Sequence, residues 1–217
     1  MRSERVRWTG IGCAVLAAVL TALVVARWKP LLRYDDEAVL RLHAYAVGHP
    51  GVTRLVRILT DWVWDPWTMR ALAAVACLWL WRRGGRERAL RIAVATAAAA
   101  AVQQALKAVV GRERPMWPDP VATAHFAAYP SGHAMTATVV CALLLWLLPG
   151  PGARRGAWVG AAWALAAVSV LGVGFTRVYV GVHWPSDVVG GWLLGAALAA
   201  LAIALPLGRH RPETGVS

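Results

Sequence analysis

Charge is scarce in this chain. Of its 217 residues, 16% are charged and 59% are hydrophobic, and the mean hydropathy is +0.51. A soluble domain needs a polar surface around its core, and so few charges exclude an ordinary water-soluble fold. The composition therefore indicates a membrane as the solvent.

Metal ligands are also few. The three cysteines, Cys13, Cys77 and Cys141, lie inside apolar segments without metal-binding spacing, and no two histidines stand one helical turn apart as in helical zinc sites. Only one carboxylate, Asp187, falls within the polar cluster described below, whereas two-metal phosphatases need several. We therefore predict no metal site and no cofactor.

What the sequence does contain is long apolar runs. Their lengths approach the roughly 20 residues needed to cross a hydrocarbon core of about 30 Å, and only helices satisfy the backbone of such segments inside lipid. We predict an all-α polytopic membrane protein, a bundle of six transmembrane helices in a single domain over residues 1–217. The six runs are 11–26, 69–81, 89–110, 134–148, 157–175 and 188–207.

The connections between these runs differ in character. Residues 34–61 mix charged with apolar residues at helical spacing and are interrupted at Gly48 and Pro50, which predicts one or two short interfacial helices between the first and second spans. Residues 111–130 are rich in proline, glycine and charge, which predicts a loop. We expect a tight turn at 149–152 and a flexible tail over 208–217.

The arginines predict the orientation in the membrane. The formal net charge is +12, but the basic residues lie in connections rather than along one soluble face, which argues against a nucleic-acid partner. Short loops rich in arginine face the cytoplasm, so we expect cytoplasmic termini and loop 111–130 on the outer face of the plasma membrane. The basic residues concerned are Arg82, Arg83, Arg86, Arg88, Arg91, Arg154, Arg155, Arg209 and Arg211.

Polar residues collect at three places near the ends of spans. On the predicted topology all three fall on the outer face, although alternating spans could have scattered them to both sides. Ionisable groups in such positions indicate a functional site. We interpret Arg112 as a contact of the loop or of lipid headgroups. The three groups are Lys107 with Arg112 and Arg114, then Ser131, Gly132 and His133, then Thr176 and Arg177 with His183 and Asp187.

The basic members of this set suit phosphate. Lys107, Arg114 and Arg177 supply fixed positive charge and donors that match phosphate oxygens and the charge of a phosphoryl-transfer transition state. Ser131 is a favourable N-cap for a helix whose first N–H groups can bind an anion. Gly132 would let an oxyanion approach the backbone closely.

The two histidines suit nucleophilic and acid–base chemistry. His183 stands just before Pro185, a favoured first-turn residue, so we expect its ring at the positive start of a helix, which keeps it neutral. Asp187 can reach the other ring nitrogen and fix the tautomer. His133 is then free to act as the general acid on the leaving oxygen.

Order and spacing make these residues one pattern, which runs over 107–187. It resembles the three-part signature of the type 2 phosphatidic acid phosphatase (PAP2) superfamily. One position departs from it, since Thr176 stands where the family usually has serine, and it keeps a hydroxyl. The matching residues are Lys107, Arg114, Pro115, Pro130, Ser131, Gly132, His133, Arg177, His183 and Asp187.

The resemblance implies a metal-independent membrane phosphatase with an outward-facing site. It implies that His183 is the nucleophile of a phosphohistidine intermediate, Asp187 its partner and His133 the general acid. The residues implied to bind the substrate phosphate are Lys107, Arg114, Ser131, Gly132 and Arg177.

The expected substrate is a lipid phosphomonoester or diphosphate. Phosphatidate, phosphatidylglycerophosphate and a polyprenyl diphosphate such as undecaprenyl diphosphate all fit, and the residues do not choose among them or give an oligomeric state. Two alternatives stay open. One is a lipid phosphotransferase, in which a lipid hydroxyl replaces water, and the other is a catalytically silent protein that binds or transports anionic lipid. Besides the substrate and membrane lipids, no nucleic-acid partner is expected.

Overall fold

The computed structural model describes residues 2–148 and 156–205, and within these ranges the chain is helical without a strand. This confirms the all-α prediction. The helices are α1 (Arg2–Val25), α2 (Lys29–Gly48), α3 (Pro50–Ile58), α4 (Pro66–Arg82), α5 (Arg86–Val110), α6 (Gly132–Trp146), α7 (Ala157–Tyr179) and α8 (Pro185–Ala204), and a π-helical segment, Leu59–Val63, follows α3 directly.

Several helices can cross a membrane. Four of the described helices, α1, α5, α7 and α8, are long and apolar enough by length and composition, and α6 is apolar but has only 15 residues. Helix α4 has 17 residues. The chain is thus a multi-pass membrane protein, while the count of six spans stays a prediction.

Helix α6 is the centre of the bundle. It packs against α4, α5, α7 and α8. Met135, Val139, Val140 and Leu143 are at most 1% exposed, so α6 is covered by protein on all sides over much of its length. Because neighbouring helices rather than lipid surround it, the polar start of α6 is held deep within the bundle.

Glycines set the distance between α6 and α8. A Cβ atom at Gly191 would lie 2.6 Å from the backbone oxygen of Ser131, and one at Gly195 would lie 2.8 Å from that of Met135. Small residues four apart allow two helix backbones to approach closely inside a membrane. The close approach brings the starts of α6 and α8 together, where the Ser131 N–H donates to the Asp187 backbone oxygen at 2.9 Å.

The region between the first two long helices forms two helices that meet near His49, at the predicted break. The first of them, α2, is longer than expected: it begins at Lys29 and has 20 residues. Its buried residues, Asp35, Val39, His43 and Ala46, form one stripe. After the π-helical segment, Asp65 begins α4 by accepting a hydrogen bond from the Trp67 N–H at 2.8 Å.

Loop 111–130 contains no helix, as expected. Gly111 ends α5 with a φ of +58°, a backbone conformation that glycine adopts without strain. The peptide bond between Tyr129 and Pro130 is cis. The predicted turn at 149–152, Arg154, Arg155, Arg209, Arg211 and the tail over 208–217 lie outside the described residues, and the single-domain assignment stays a prediction.

Candidate active site

The structure brings the sequence-predicted site residues together at one end of the bundle. Lys107 lies in the last turn of α5, Arg177 in the last turn of α7, and Arg114 in the loop that follows α5. Helix α6 begins with Ser131, Gly132 and His133. His183 lies between α7 and α8, and Asp187 in the first turn of α8.

His183 and Asp187 form a buried pair at the start of α8. The Nδ1 atom of His183 lies 3.3 Å from Oδ2 of Asp187, and the Trp184 N–H donates to the same oxygen at 2.9 Å. Pro185 occupies the first turn of the helix, as expected from its fixed φ. The carboxylate favours a proton on Nδ1, which leaves the lone pair on Nε2.

Arg114 selects the same tautomer from the other side of the ring. Its Nη1 atom lies 3.2 Å from Nε2 of His183 and also donates to the Val182 carbonyl at 2.5 Å. A guanidinium can only donate, so Nε2 must be the acceptor. Nε2 is therefore unprotonated and faces a cation.

Burial and neighbouring cations keep His183 neutral. Its ring is almost wholly buried, and burial together with the charges of Arg114, Arg177 and Lys107 holds the pKa of His183 well below its usual value of 6.5. A neutral imidazole is the form that a nucleophile requires.

Lys107 and Arg114 converge on the backbone of residues 125–127. The Lys107 ammonium donates to the Ala127 carbonyl at 2.5 Å, and Arg114 donates to the carbonyls of Phe126 at 2.8 Å and His125 at 3.2 Å. Both cations thus direct N–H groups at oxygen atoms in one place. Phosphate oxygens are acceptors of the same kind, with added negative charge.

Four buried side-chain atoms have no hydrogen-bond partner in the described part of the chain, and two of them belong to the sequence-predicted site. These two are the Arg177 Nε–H and the Ser131 hydroxyl. The guanidinium of Arg177 is otherwise held by Thr60, whose hydroxyl lies 3.2 Å from Nη1, and by Asp61 at 3.7 Å. An unsatisfied buried polar group costs about 1–3 kcal/mol, so this pair fits an anionic ligand that supplies acceptors.

The start of α6 differs in detail from expectation. Ser131 occupies the N-cap position, but its side chain makes no capping hydrogen bond. A Cβ atom at Gly132 would lie 2.7 Å from the side-chain amide of Gln103 on α5, so a larger residue there would displace this amide. The N–H groups of Gly132 and His133 precede the first hydrogen bond of the helix and are available to an anion.

His133 lies among charges of both signs. Arg177, Arg114 and Lys107 act on its ring, and its Nε2 atom lies 3.9 Å from Oδ2 of Asp65. The prediction of a single carboxylate in this cluster is wrong, because Asp61 lies near Arg177 and Asp65 near His133. Both were missed because they belong to a connecting segment of mixed character.

Arg112 was also interpreted wrongly. It does not face lipid headgroups but is half of a buried ion-pair network: Nη1 donates to Asp187 Oδ1 and Nη2 donates to Asp35 Oδ2, each at 2.7 Å. Asp35 was missed altogether. Its helical spacing from Val39, His43 and Ala46 could have indicated a buried carboxylate, because a carboxylate on the apolar face of a helix needs a partner.

The hydroxyl of Thr176 is occupied by the backbone of its own helix. It donates to the Val173 carbonyl at 2.8 Å. The departure from serine at this position therefore removes no group that faces the cluster.

The site residues belong to a sequence pattern that known proteins share. A family model described as the PAP2 superfamily matches residues 88–211, more than half of the chain and all of the sequence-predicted site residues. The chain belongs to the PAP2 superfamily. It is a phosphatase of the PAP2 type, which confirms the resemblance drawn from the motifs and the enzyme class expected from it.

Relatives within PAP2 agree with this assignment. An undecaprenyl-diphosphatase of Sulfolobus acidocaldarius is 38% identical over 78 residues, which are 36% of this chain and 33% of that protein. A decaprenylphosphoryl-5-phosphoribose phosphatase of Mycolicibacterium smegmatis is 32% identical over 162 residues, 73% of this chain and 82% of that protein. The crystal structure of a transmembrane PAP2 phosphatidylglycerolphosphate phosphatase of Bacillus subtilis has the same fold, with a TM-score of 0.70 at 20% identity over 90% of this chain and 94% of that one.

The side chains that could bind a metal ion are dispersed in this PAP2 chain. Across residues 2–148 and 156–205, no group of three or more His, Cys, Asp or Glu side chains has the arrangement that holds a metal ion. The cluster around His183 is instead rich in cations.

Proposed function

We propose that this protein removes phosphate from a lipid phosphomonoester or diphosphate by transfer first to His183 and then to water. The observation that carries the proposal is the state of the His183 ring. One nitrogen pairs with Asp187 at 3.3 Å, and the other faces Arg114 at 3.2 Å within a group of cations. Such a ring is a preorganised nucleophile for an anionic electrophile.

The first step forms a bond between Nε2 and phosphorus and breaks the bond from phosphorus to the lipid oxygen. The leaving oxygen takes a proton from His133, whose imidazolium form the negative charge of the bound phosphate and the nearby Asp65 would stabilise against the surrounding cations. Positive charge on the phosphorylated His183 ring is stabilised by Asp187, which accepts the Nδ1–H. Lys107, Arg114 and Arg177 stabilise the charge on the phosphoryl oxygens.

The second step returns the protein to its starting state. Neutral His133 takes a proton from water, the water oxygen bonds to phosphorus, and the bond from phosphorus to Nε2 breaks with its electron pair returning to nitrogen. Inorganic phosphate leaves. The proton lost by His133 in the first step is regained in the second, so the cycle consumes one water and no metal or cofactor.

The phosphoryl group would occupy the place toward which the donors point. The unpaired Arg177 Nε–H and Ser131 hydroxyl, with the first N–H groups of α6, would bind its oxygens, with Gly132 at the closest approach. Lys107 and Arg114 would exchange the carbonyls of residues 125–127 for phosphate oxygens. This exchange replaces neutral acceptors by charged ones, which strengthens each hydrogen bond.

An adjacent cleft supports entry of the lipid from the side. Its volume is about 460 Å³, and charged and apolar side chains both line it. They include Arg27, Asp36, Glu113 and Arg114, with Val24 and Val25 of α1 and Val109 and Val110 of α5. A lipid whose phosphate reaches Arg114 would place its chain along the valines of α1 and α5.

The substrate class follows from the chemistry and from the relatives. The relatives are named for a polyprenyl diphosphate and a phosphoribosyl polyprenyl phosphate, and the fold neighbour for a phosphatidylglycerol phosphate. All are phosphates on a long apolar lipid. We infer a substrate of that kind, bound from the outer face of the plasma membrane with the termini of the protein in the cytoplasm.

A lipid panel tests the proposed function. Purified protein in detergent is incubated with phosphatidate, phosphatidylglycerophosphate and a polyprenyl diphosphate in the presence of a chelator, and free phosphate and new phospholipid products are both measured. Free phosphate is expected from wild type and from His49→Ala, which changes an exposed histidine between α2 and α3, but not from His183→Ala. Activity of His183→Ala would overturn the proposal, and a new phospholipid in place of phosphate would show transfer to lipid.

A further inference from the structure

We propose that Asp35 and Arg112 are positioning residues that hold Asp187, and through it His183, in the reactive orientation. The inference rests on the proposed function of His183. Neither residue belongs to the motif positions that identified the family, and Asp35 lies in α2, far from them in sequence.

The contacts form a closed network around Arg112. Its Nη1 atom donates to Oδ1 of Asp187 and to Oγ of Ser186, and its Nη2 atom donates to Oδ2 of Asp35, all at 2.7 Å. The Ser186 N–H donates to Asp35 Oδ1 at 2.9 Å, and the Ser186 hydroxyl donates to Asp35 Oδ2. Asp35 thus binds the first turn of α8 directly through Ser186 and indirectly through Arg112.

Burial makes this network sensitive to the loss of any charge. Asp35 and Asp187 are fully buried, and the Arg112 side chain is 11% exposed. The guanidinium also lies over the ring of Trp184, 5.5 Å from its centroid. Removing one partner of a buried ion pair leaves an uncompensated charge, so two carboxylates around one guanidinium must keep their places.

The network determines which oxygen of Asp187 faces His183. Arg112 takes Oδ1, and this leaves Oδ2 for the Trp184 N–H and for Nδ1 of His183. A carboxylate held at one oxygen cannot rotate away from the imidazole at the other. The hydrogen bond between Nδ1 of His183 and Asp187 therefore depends on Arg112, and the position of Arg112 depends on Asp35.

The same contacts argue that Arg112 acts through Asp187 rather than on the substrate. Both terminal nitrogens of the guanidinium are occupied by Asp35, Ser186 and Asp187. Arg114, two residues later, carries the contact with His183. The two arginines of this loop segment therefore contact opposite ends of the histidine–aspartate pair: Arg112 binds Asp187, and Arg114 binds His183.

Three variants test the inference: Asp35→Asn, Arg112→Lys and Ser186→Ala. We expect kcat to fall roughly 10- to 100-fold in the first two, the range typical for removing a partner that orients a functional side chain, with KM changed less than about twofold. Ser186→Ala keeps both charges and should lose less. Matched controls are Glu37→Gln and Arg41→Gln, which break an exposed ion pair on the same α2 helix and should keep wild-type kcat.

Additivity separates positioning from a general loss of structure. In an Asp187→Asn background, Arg112→Lys should add little further loss of kcat, because the group that it positions is already disabled. Equal losses in both backgrounds would overturn the inference. Wild-type kcat in Asp35→Asn and Arg112→Lys, with His183→Ala inactive, would also overturn the inference. That outcome would leave the proposed function of His183 intact.

A spectroscopic readout does not depend on turnover. Nitrogen-15 labelling of histidine, with His183 assigned from the His183→Gln variant, reports the chemical shift of the Nδ1–H proton, which moves downfield as its hydrogen bond to Asp187 becomes stronger. We expect the same shift in wild type and in Glu37→Gln, and an upfield change in Asp35→Asn and Ser186→Ala. An unchanged Nδ1–H shift in folded Asp35→Asn would overturn the positioning role even if no substrate were turned over.

Discussion

The Nη1 atom of Arg114 lies 3.2 Å from Nε2 of His183, on the side of the imidazole opposite Asp187. The ring is thus held between an acceptor that fixes its proton and a cation that marks where a phosphoryl group would arrive. This arrangement joins binding and reactivity, because the same guanidinium can hold a phosphate oxygen and direct phosphorus toward the nitrogen.

Removing the charge of Asp187 should disable His183 without preventing substrate binding. In Asp187→Asn the amide can donate as well as accept, so the ring can adopt the wrong tautomer, and we expect kcat to fall by about 10³- to 10⁴-fold, as in other histidine–aspartate pairs. KM should change little, because Lys107, Arg114 and Arg177 remain. Steady-state kinetics measure both, and a variant with raised KM and normal kcat would contradict this role.

Arg114 should be replaceable by lysine only in part. Arg114→Lys keeps a cation near Nε2 but loses the fork that reaches His183 and the carbonyls of residues 125–127. We expect kcat/KM to fall roughly 10- to 100-fold, about 1.4–2.7 kcal/mol, with a further fall in Arg114→Gln. Equal activity of the lysine and glutamine variants would show that charge at this position is unimportant.

The pKa of His183 predicts a pH dependence of stability. Between its ordinary value of 6.5 and its lowered value in the fold, the unfolded chain binds a proton that the folded chain does not. The contribution of His183 to the free energy of unfolding should therefore fall as pH drops below about 6.5, by up to about 1.4 kcal/mol per pH unit, and stay flat above about pH 7.5.

His183→Gln should remove this contribution. Thermal unfolding of wild type and variant in detergent, between about pH 5 and pH 8, measures it. Wild type should lose stability relative to the variant only on the acidic side. A difference between the two proteins that stays constant with pH would contradict a neutral, buried His183.

The close approach of α6 and α8 can be tested at one glycine. In Gly195→Ala the new Cβ would lie 2.8 Å from the Met135 carbonyl, so the helices must separate, at an expected cost of about 1–3 kcal/mol and with reduced kcat. Gly160→Ala on α7 is the control, because its Cβ would meet nothing within 4 Å. Equal stability of the two variants would show that this contact does not set the helix spacing.

Labelling of single cysteines tests the orientation. After Cys13, Cys77 and Cys141 are replaced by serine, Met116→Cys in the exposed outer loop should react with a membrane-impermeant maleimide in intact cells. Arg83→Cys, in the short turn after α4, should react only after permeabilisation. The reverse pattern would place the candidate active site on the cytoplasmic face.

Much of the fold could be predicted from the sequence because membrane helices follow local rules. Apolar runs of sufficient length become helices, and Gly111 and Pro185 mark the end of α5 and the start of α8. The predicted topology placed Lys107 and His183 on the same side of the bilayer, and the structure has both at one end of the bundle. These features depend on local sequence and on the alternating direction of successive helices rather than on detailed side-chain packing.

The partners of the site residues could not be predicted in the same way. Arg112 and Asp35 are 77 residues apart, and a carboxylate in the charged first half of α2 looks like a solvated group until its helix is docked. Asp61 and Asp65 reach the site only because a π-helical segment continues α3 up to the start of α4. Such contacts depend on rotations of packed helices, which local periodicity does not encode.

The central claim is that His183 carries the phosphoryl group during turnover, and a trapped phosphoenzyme tests it most directly. Wild type is mixed with phosphorus-32-labelled lipid phosphate, quenched in alkali within milliseconds to seconds, and mapped by mass spectrometry, with His183→Ala and His49→Ala in parallel. We predict an acid-labile, alkali-stable label on residue 183 in wild type and His49→Ala, and none in His183→Ala. Label on another residue, or turnover without any labelled protein under conditions that trap other phosphohistidines, would contradict the account.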